Sequence, residues 1–138
     1  MDVKGACLCG KVTIKTQAKR DALDACHCGM CRKWGGGPYM AIDCGPEVEV
    51  VGKAFMGVFN SSEWAERAFC KECGTHIYYH LKGTDNYALP VGLLDGDPQF
   101  VFKEQIFIDR KPEYYEFANE TEDLTEAEVI AKYAPPAK

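Results

Sequence analysis

Cysteine spacing is the feature that most limits what this chain can fold into. Cys7 and Cys9 form a C-x-C, Cys26, Cys28 and Cys31 a C-x-C-x-x-C, and Cys70 and Cys73 a C-x-x-C, so seven of the eight cysteines fall in three tight clusters. Close thiols at the tip of a turn suit one metal ion better than two distant disulfide partners. Zn²⁺ takes tetrahedral thiolate coordination; structural sites fill all four corners, and catalytic sites keep one for water or substrate. Two, three and two sulfurs add up to one closed four-sulfur site and one three-sulfur site with an open position, or two zinc ions per chain.

A disulfide framework is the competing use of eight cysteines. The opening residues, MDVKGACLCGKVTIK, hold no apolar run of signal-peptide length, so a reducing, cytoplasmic setting is expected. The net charge of −5 comes from 16 basic and 21 acidic residues with no basic block, which disfavours nucleic acid or an anionic membrane surface as partner. No stretch is long and apolar enough to span a bilayer.

Residues 1–138 read as a single domain, and an apolar fraction of 46% can supply its core. The fold class is mainly β. Strand candidates are Val12-Thr13-Ile14, Tyr39 to Ile42, Val48-Glu49-Val50, Ala54 to Phe59, Ala68 to Cys70, Ile77 to Leu81, Tyr87 to Val91 and Gln105 to Ile108. Turn residues at Gly10, Gly35-Gly36-Gly37-Pro38, Gly45-Pro46, Gly52, Gly83 and Gly96-Asp97-Pro98 punctuate them. A short C-terminal helix is expected: Thr125-Glu126-Ala127-Glu128 matches a capping box, and Pro135-Pro136 stops the run. Such a helix is marginal alone and must dock, through Val129, Ile130 and Tyr133.

Cys70-Lys71-Glu72-Cys73-Gly74 has the shape of a zinc knuckle, with a glycine after the second thiolate where the backbone needs positive φ. Cys7-Leu8-Cys9-Gly10 is a shorter version. Paired, Cys7, Cys9, Cys70 and Cys73 close one structural site across more than sixty residues of sequence. Because such a site scarcely exists in the unfolded chain, its binding energy, on the order of 10 kcal/mol, contributes directly to folding.

Cys26, Cys28 and Cys31 offer three thiolates and no obvious fourth ligand. His27, between two of them, reads as a strand residue whose side chain points away from theirs; His76 and His80 read as strand histidines with satisfied hydrogen bonds, and Cys44 as a small buried apolar residue. Three thiolates make a weak Lewis acid of a bound metal, and a soft external thiolate is the ligand best suited to its fourth position. Arg32 and Lys33 follow the cluster directly and are candidates for holding an anionic substrate; Lys53, Arg67 and Lys71 are further possible carboxylate partners.

Three segments carry a family resemblance. They are Gly5-Ala6-Cys7-Leu8-Cys9-Gly10-Lys11-Val12, Cys26-His27-Cys28-Gly29-Met30-Cys31-Arg32-Lys33 and Arg67-Ala68-Phe69-Cys70-Lys71-Glu72-Cys73-Gly74-Thr75. Together they resemble the glutathione-dependent formaldehyde-activating enzymes, a group that includes centromere protein V. The likeness continues through Val91-Gly92-Leu93-Leu94-Asp95, Ile106-Phe107 and Tyr114-Tyr115-Glu116-Phe117-Ala118. It implies a β-tent fold. It also implies a structural zinc on Cys7, Cys9, Cys70 and Cys73 and a catalytic zinc on Cys26, Cys28 and Cys31. The activity implied is a carbon–sulfur lyase joining glutathione and formaldehyde, a small thiol and a small aldehyde, as S-hydroxymethylglutathione. A zinc-binding interaction module of the same fold, and a redox role for Cys31 or Cys44, are the readings to be set against the enzyme.

Overall fold

In the computed structural model, which describes residues 1–96 and 98–133, apolar–polar alternation shapes the first hairpin. β1 (Asp2–Ala6) turns Val3 and Gly5 inward, and β2 (Thr13–Ala18) turns in Ile14, Thr16 and Ala18 while Lys15 and Gln17 meet solvent. The strands pair antiparallel, with Gly5 opposite Ile14. Ile14 packs into a core with Val12, Ile42, Cys44, Ile77 and Leu89, all essentially inaccessible to solvent. Each of these larger aliphatic side chains contributes about 1.5–3 kcal/mol by its burial.

The long strand β4 (Tyr39–Val51) organises the sheet. Its first residues pair antiparallel with β3 (Ala22–Cys26), Ala41 to Cys44 pair with β8 (Asn86–Pro90), and the remainder pairs with β2, Val48 opposite Thr16 and Val51 opposite Thr13. Beyond β8 an antiparallel meander runs through β7 (His76–Leu81), β6 (Ala65–Cys70) and β5 (Met56–Asn60). On the other side, β3 pairs in parallel with β9 (Val101–Ile106), which pairs in parallel with β10 (Glu122–Leu124). The ten strands among the described residues thus join one sheet that stays open, ending at β10 and β5. Both metal-type clusters sit at strand ends: Cys26 closes β3 and Cys70 closes β6.

The mainly β expectation holds, with differences that have physical causes. Gly45-Pro46 does not separate two strands; β4 runs through it, the peptide bond being cis. There β4 leaves β8 at Cys44 and continues along β2, so proline's missing N–H removes no ladder bond. Ala54 to Phe59 is not one strand, because a 3-10 turn over Lys53–Phe55 precedes β5. β9 begins earlier than expected and ends at Ile106. A seven-residue helix, α1 (Gly29–Gly35), follows β3 where glycine at both ends hides it from propensity.

The C-terminal helix α2 (Glu126–Tyr133) carries the expected capping box, with the Thr125 amide bonding Glu128 Oε1 at 3.0 Å and the Glu128 amide bonding Thr125 Oγ1 at 3.3 Å. It docks through buried Val129, and Tyr133 Oη and Lys132 Nζ both reach the buried Glu104 carboxylate. Ile130, expected at that contact, is 56% exposed instead. Pro135-Pro136 and Asp97 lie outside the described residues. No helix among the described residues is long and apolar enough to cross a membrane.

One turn braces both knuckles. Gly52 has φ of 89°, and a Cβ there would lie 1.8 Å from the Lys11 carbonyl oxygen, just past Cys9-Gly10. Three residues on, the Phe55 carbonyl accepts the Lys71 amide at 2.7 Å, inside the second knuckle. The Lys11–Glu72 ion pair at 3.6 Å also links the two turns, but both side chains are half exposed and such pairs contribute little. Backbone proximity therefore sets the spacing. Gly52→Ala is expected to cost about 2 kcal/mol or more and to weaken metal binding at the knuckles, read by thermal unfolding and chelator competition. An unchanged midpoint and affinity would contradict this bracing role.

Candidate metal centres

The first cluster is built by two hairpin turns. Cys7 follows β1 and Cys9 lies in the β1–β2 turn; Cys70 ends β6 and Cys73 lies in the β6–β7 turn. All four sulfurs lie within 4.8 Å of one another, with 3.5 Å between Cys7 and Cys9 and 3.7 Å between Cys9 and Cys70. A metal–sulfur bond of about 2.3 Å gives a tetrahedral edge of about 3.8 Å, so the spacing fits a zinc-sized tetrahedron. The turns close alike: the Gly10 amide bonds the Cys7 carbonyl at 3.0 Å and the Gly74 amide the Cys70 carbonyl at 2.8 Å, with φ near +80° at each glycine.

Donors surround these sulfurs. The Val12 amide points at Cys7 Sγ at 3.3 Å, Thr75 Oγ1 lies 3.2 Å from Cys73 Sγ, and the same hydroxyl accepts the Leu8 amide at 3.1 Å, tying one turn to the other. Thr75, through its side chain and then its backbone, pulls the Cys73 thiol down to about 5. Cys9 is pushed up to about 12 even though the Lys11 amide lowers it, because burial and its sulfur neighbours outweigh that amide. Four adjacent sulfurs resist common ionisation. A divalent cation removes that conflict.

The second cluster sits where β3 meets α1. Cys26 is the last residue of β3, Cys28 is the N-cap of α1 and accepts the Cys31 amide at 3.4 Å, and Cys31 occupies the first helical turn. Their three sulfurs lie within 4.8 Å of one another, and among the described residues no fourth histidine, cysteine or carboxylate joins the group. Hydrogen bonds from Cys26 and Cys31 pull Cys28 down to about 2, whereas the Cys28 and Cys31 sulfurs, with burial, push Cys26 well up. This cluster too could hold a metal ion, and its donor set is consistent with zinc.

Arg67, one of five possible carboxylate partners in the sequence, is turned toward the second cluster. It projects from β6 into the interior, 4% exposed, and both terminal guanidinium nitrogens lie 3.6 Å from Cys31 Sγ. Its guanidinium carbon stands 5.0 Å from the ring centroids of Trp34 on α1 and of Tyr79 on β7. Burial opposes the charge, but the Cys31 and Cys28 sulfurs hold the guanidinium protonated. Trp34 also stacks on His76 at 3.7 Å, which fastens α1 to β7.

His27 lies just past β3 rather than within a strand, and its side chain does turn away from the sulfurs. It is fully buried, with Nδ1 2.7 Å from Tyr115 Oη and Nε2 2.8 Å from Gln105 Oε1. Gln105 Nε2 donates to Thr121 Oγ1 at 2.9 Å, so its Oε1 accepts from His27 Nε2–H and leaves Nδ1 to accept from the Tyr115 hydroxyl. Burial lowers the His27 pKa and keeps the ring neutral. Arg32 Nε donates to the His27 carbonyl at 2.9 Å, while Lys33, Lys53 and Lys71 are exposed.

His80 is satisfied by Glu66 at 2.8 Å and the Thr84 carbonyl at 3.0 Å, as expected; His76 is held by stacking instead. Cys44 is fully buried in the core, apart from both sulfur clusters, and burial pushes its thiol up to about 12, which leaves it unreactive. Trp34, Tyr79, Gln105 and Tyr115 carry no signal in the sequence that marks them as neighbours of the cysteine cluster. For Arg67 a signal existed, since a charged residue between Ala65 and Ala68 on an inward strand position requires a buried partner.

Replacing one sulfur of the four-cysteine cluster removes a corner of a closed set. Cys9→Ser and Cys73→Ser are expected to lose several kcal/mol of stability and one equivalent of bound metal, measured by thermal unfolding with elemental analysis. Cys44→Ala is expected to keep the full metal content and to cost about 1–2 kcal/mol.

A family model described as the glutathione-dependent formaldehyde-activating enzyme matches residues 2–110. An uncharacterized lyase of Schizosaccharomyces pombe is 37% identical over 130 residues, spanning 94% of this chain and 95% of that protein. A crystal structure of a Rhodobacter sphaeroides protein superposes with a TM-score of 0.59 at 25% identity, covering 67% of this chain and 88% of the other. By the extent of the family match and the near full-length likeness to that lyase, the chain belongs to the glutathione-dependent formaldehyde-activating enzyme family.

Proposed function

We propose that the protein is a zinc-dependent carbon–sulfur lyase that combines a small thiol of the glutathione type with a small aldehyde such as formaldehyde. The observation that carries this reading is the asymmetry of the two clusters: four sulfurs close one set, and three leave the other short of a ligand. In it, Cys7, Cys9, Cys70 and Cys73 hold a structural zinc and Cys26, Cys28 and Cys31 a catalytic one. We read the architecture as the β-tent of that family. The cysteines are all free of disulfides, which suits a reducing compartment such as the cytoplasm.

A zinc at the three-cysteine set would supply Lewis acidity and a position where a soft thiolate is kept ionised near neutral pH. The reaction is an addition. The thiol loses its proton, a sulfur–carbon bond forms as the carbonyl π bond breaks, and the resulting oxyanion takes up one proton; the reverse is the lyase direction. Cys26, Cys28 and Cys31 position the reacting centre from a strand end and a helix start. We read Arg32, whose Nε donates to the His27 carbonyl, and the exposed Lys33 as the α1 side chains that meet substrate carboxylates.

A second reading, a zinc-binding interaction module, draws support from Val58, Phe59 and Trp64, which are 47%, 64% and 53% exposed at and beside the edge strand β5. Cobalt substitution separates the two. In the enzyme, millimolar glutathione shifts the thiolate charge-transfer bands of one cobalt and leaves the other unchanged, and exchange spectroscopy shows adduct formation faster than the spontaneous rate. Cys28→Ser stays folded, binds about one metal instead of two, and loses the response. A spectrum unmoved by glutathione would favour the interaction module.

A further inference from the structure

We propose that Arg67 is a positioning residue that makes the three-cysteine site select an anionic fourth ligand over a neutral one. This rests on the reading above, that Cys26, Cys28 and Cys31 hold a divalent metal with one position for substrate. Three thiolates around a divalent ion leave the group one unit negative, and an incoming thiolate would make it two. A buried site resists that second charge unless a cation stands beside it.

Arg67 supplies this cation. It is 4% exposed, and none of the ion pairs among the described residues includes it. Its Nε has no hydrogen-bond partner, and its two other nitrogens both point at Cys31 Sγ from 3.6 Å. The buried charge is therefore balanced by the sulfur cluster and by no carboxylate. The rings of Trp34 and Tyr79, each with its centroid 5.0 Å from the guanidinium carbon, pack against the guanidinium. Arginine suits this position because its weakly hydrated planar fork can stack between rings and place two N–H groups on one sulfur, which a lysine cannot do. With Arg67 included the loaded site is neutral, and it accepts one anion at the cost of a single unit of charge. At such range inside a protein, a unit charge alters anion affinity by about tenfold or more.

The test compares an anion with a neutral donor on the cobalt-substituted protein at fixed pH. Azide and 2-mercaptoethanol report the anionic preference, imidazole the neutral one, each titrated through the cobalt absorption bands. For Arg67→Met, azide and thiol affinity are expected to fall at least tenfold while imidazole affinity stays within about twofold. Arg67→Lys should recover part of the anion preference, because it restores charge without the fork. If azide and imidazole weaken together, or neither weakens, the residue is structural and the proposal is overturned.

Should Arg67→Met fail to fold, the wild-type protein decides: binding imidazole in preference to azide overturns the proposal, and the opposite order supports it. Failure of the underlying reading looks different. Wild-type protein that takes up a single cobalt overturns the metal assignment and this inference together. Two cobalts with an unchanged ligand preference in both variants overturn the role of Arg67 alone.

Discussion

Four sulfurs from two hairpin turns form the junction on which the rest of the molecule depends. The β1–β2 turn and the β6–β7 turn are separated by most of the first half of the chain, yet Cys9 and Cys70 approach to 3.7 Å. The protein contacts between these turns are modest: one amide on Thr75, one half-exposed ion pair, and the backbone of the Gly52–Phe55 turn on either side. None of these offsets the loop-closure entropy of joining such distant segments. A metal held by all four sulfurs would, because its binding energy is realised only in the folded chain. Buried Cys7 and Cys70 also belong to the hydrophobic core, so the junction and the core stabilise each other.

Strand β6 carries this order to the second cluster. Cys70 ends it, and Arg67 lies three residues earlier on the same strand with its guanidinium on Cys31. In a regular strand an odd separation sends two side chains to opposite faces. The register shift between Ala68 and Phe69 breaks that regularity, and both Arg67 and Cys70 are buried. One bulged strand thereby places a sulfur in the first cluster and a guanidinium beside the second.

Much of this was legible because metal-binding chemistry writes itself into spacing. The division into four and three sulfurs, the glycines at positive φ after each knuckle, the capping box of α2 and most of the meander all followed from local pattern. What escaped was nonlocal or weakly patterned. β3 (Ala22–Cys26) has no β-branched residue and is buried on both faces, so it shows neither propensity nor alternation. α1 is too short for a helical period to appear and begins and ends in glycine. The pairing of Arg67 with Cys31 spans 36 residues, and a basic residue near a proposed substrate site reads more readily as a substrate contact than as the partner of a buried sulfur.

The support of the three-cysteine loop also reaches past the segment matched by the family model, which ends at residue 110. Tyr115, Thr121 and Asp123 lie beyond it. Thr121 donates to Asp123 at 2.6 Å and accepts from Gln105, which in turn orients His27, while Tyr115 occupies the other ring nitrogen. Phe117 packs near the same imidazole, at 6.1 Å between ring centroids. His27 is held on both nitrogens in a buried place, so its backbone, and with it Cys26 and Cys28 on either side, has little freedom to shift. Each such bond is worth only about 1 kcal/mol, but the orientation they impose falls on neighbouring sulfurs. The four-cysteine junction draws on none of these groups. The two clusters are therefore supported by different parts of the chain: the hairpin junction by the sheet's own turns, and the three-cysteine set by β6 from one side and by the segment after β9 from the other.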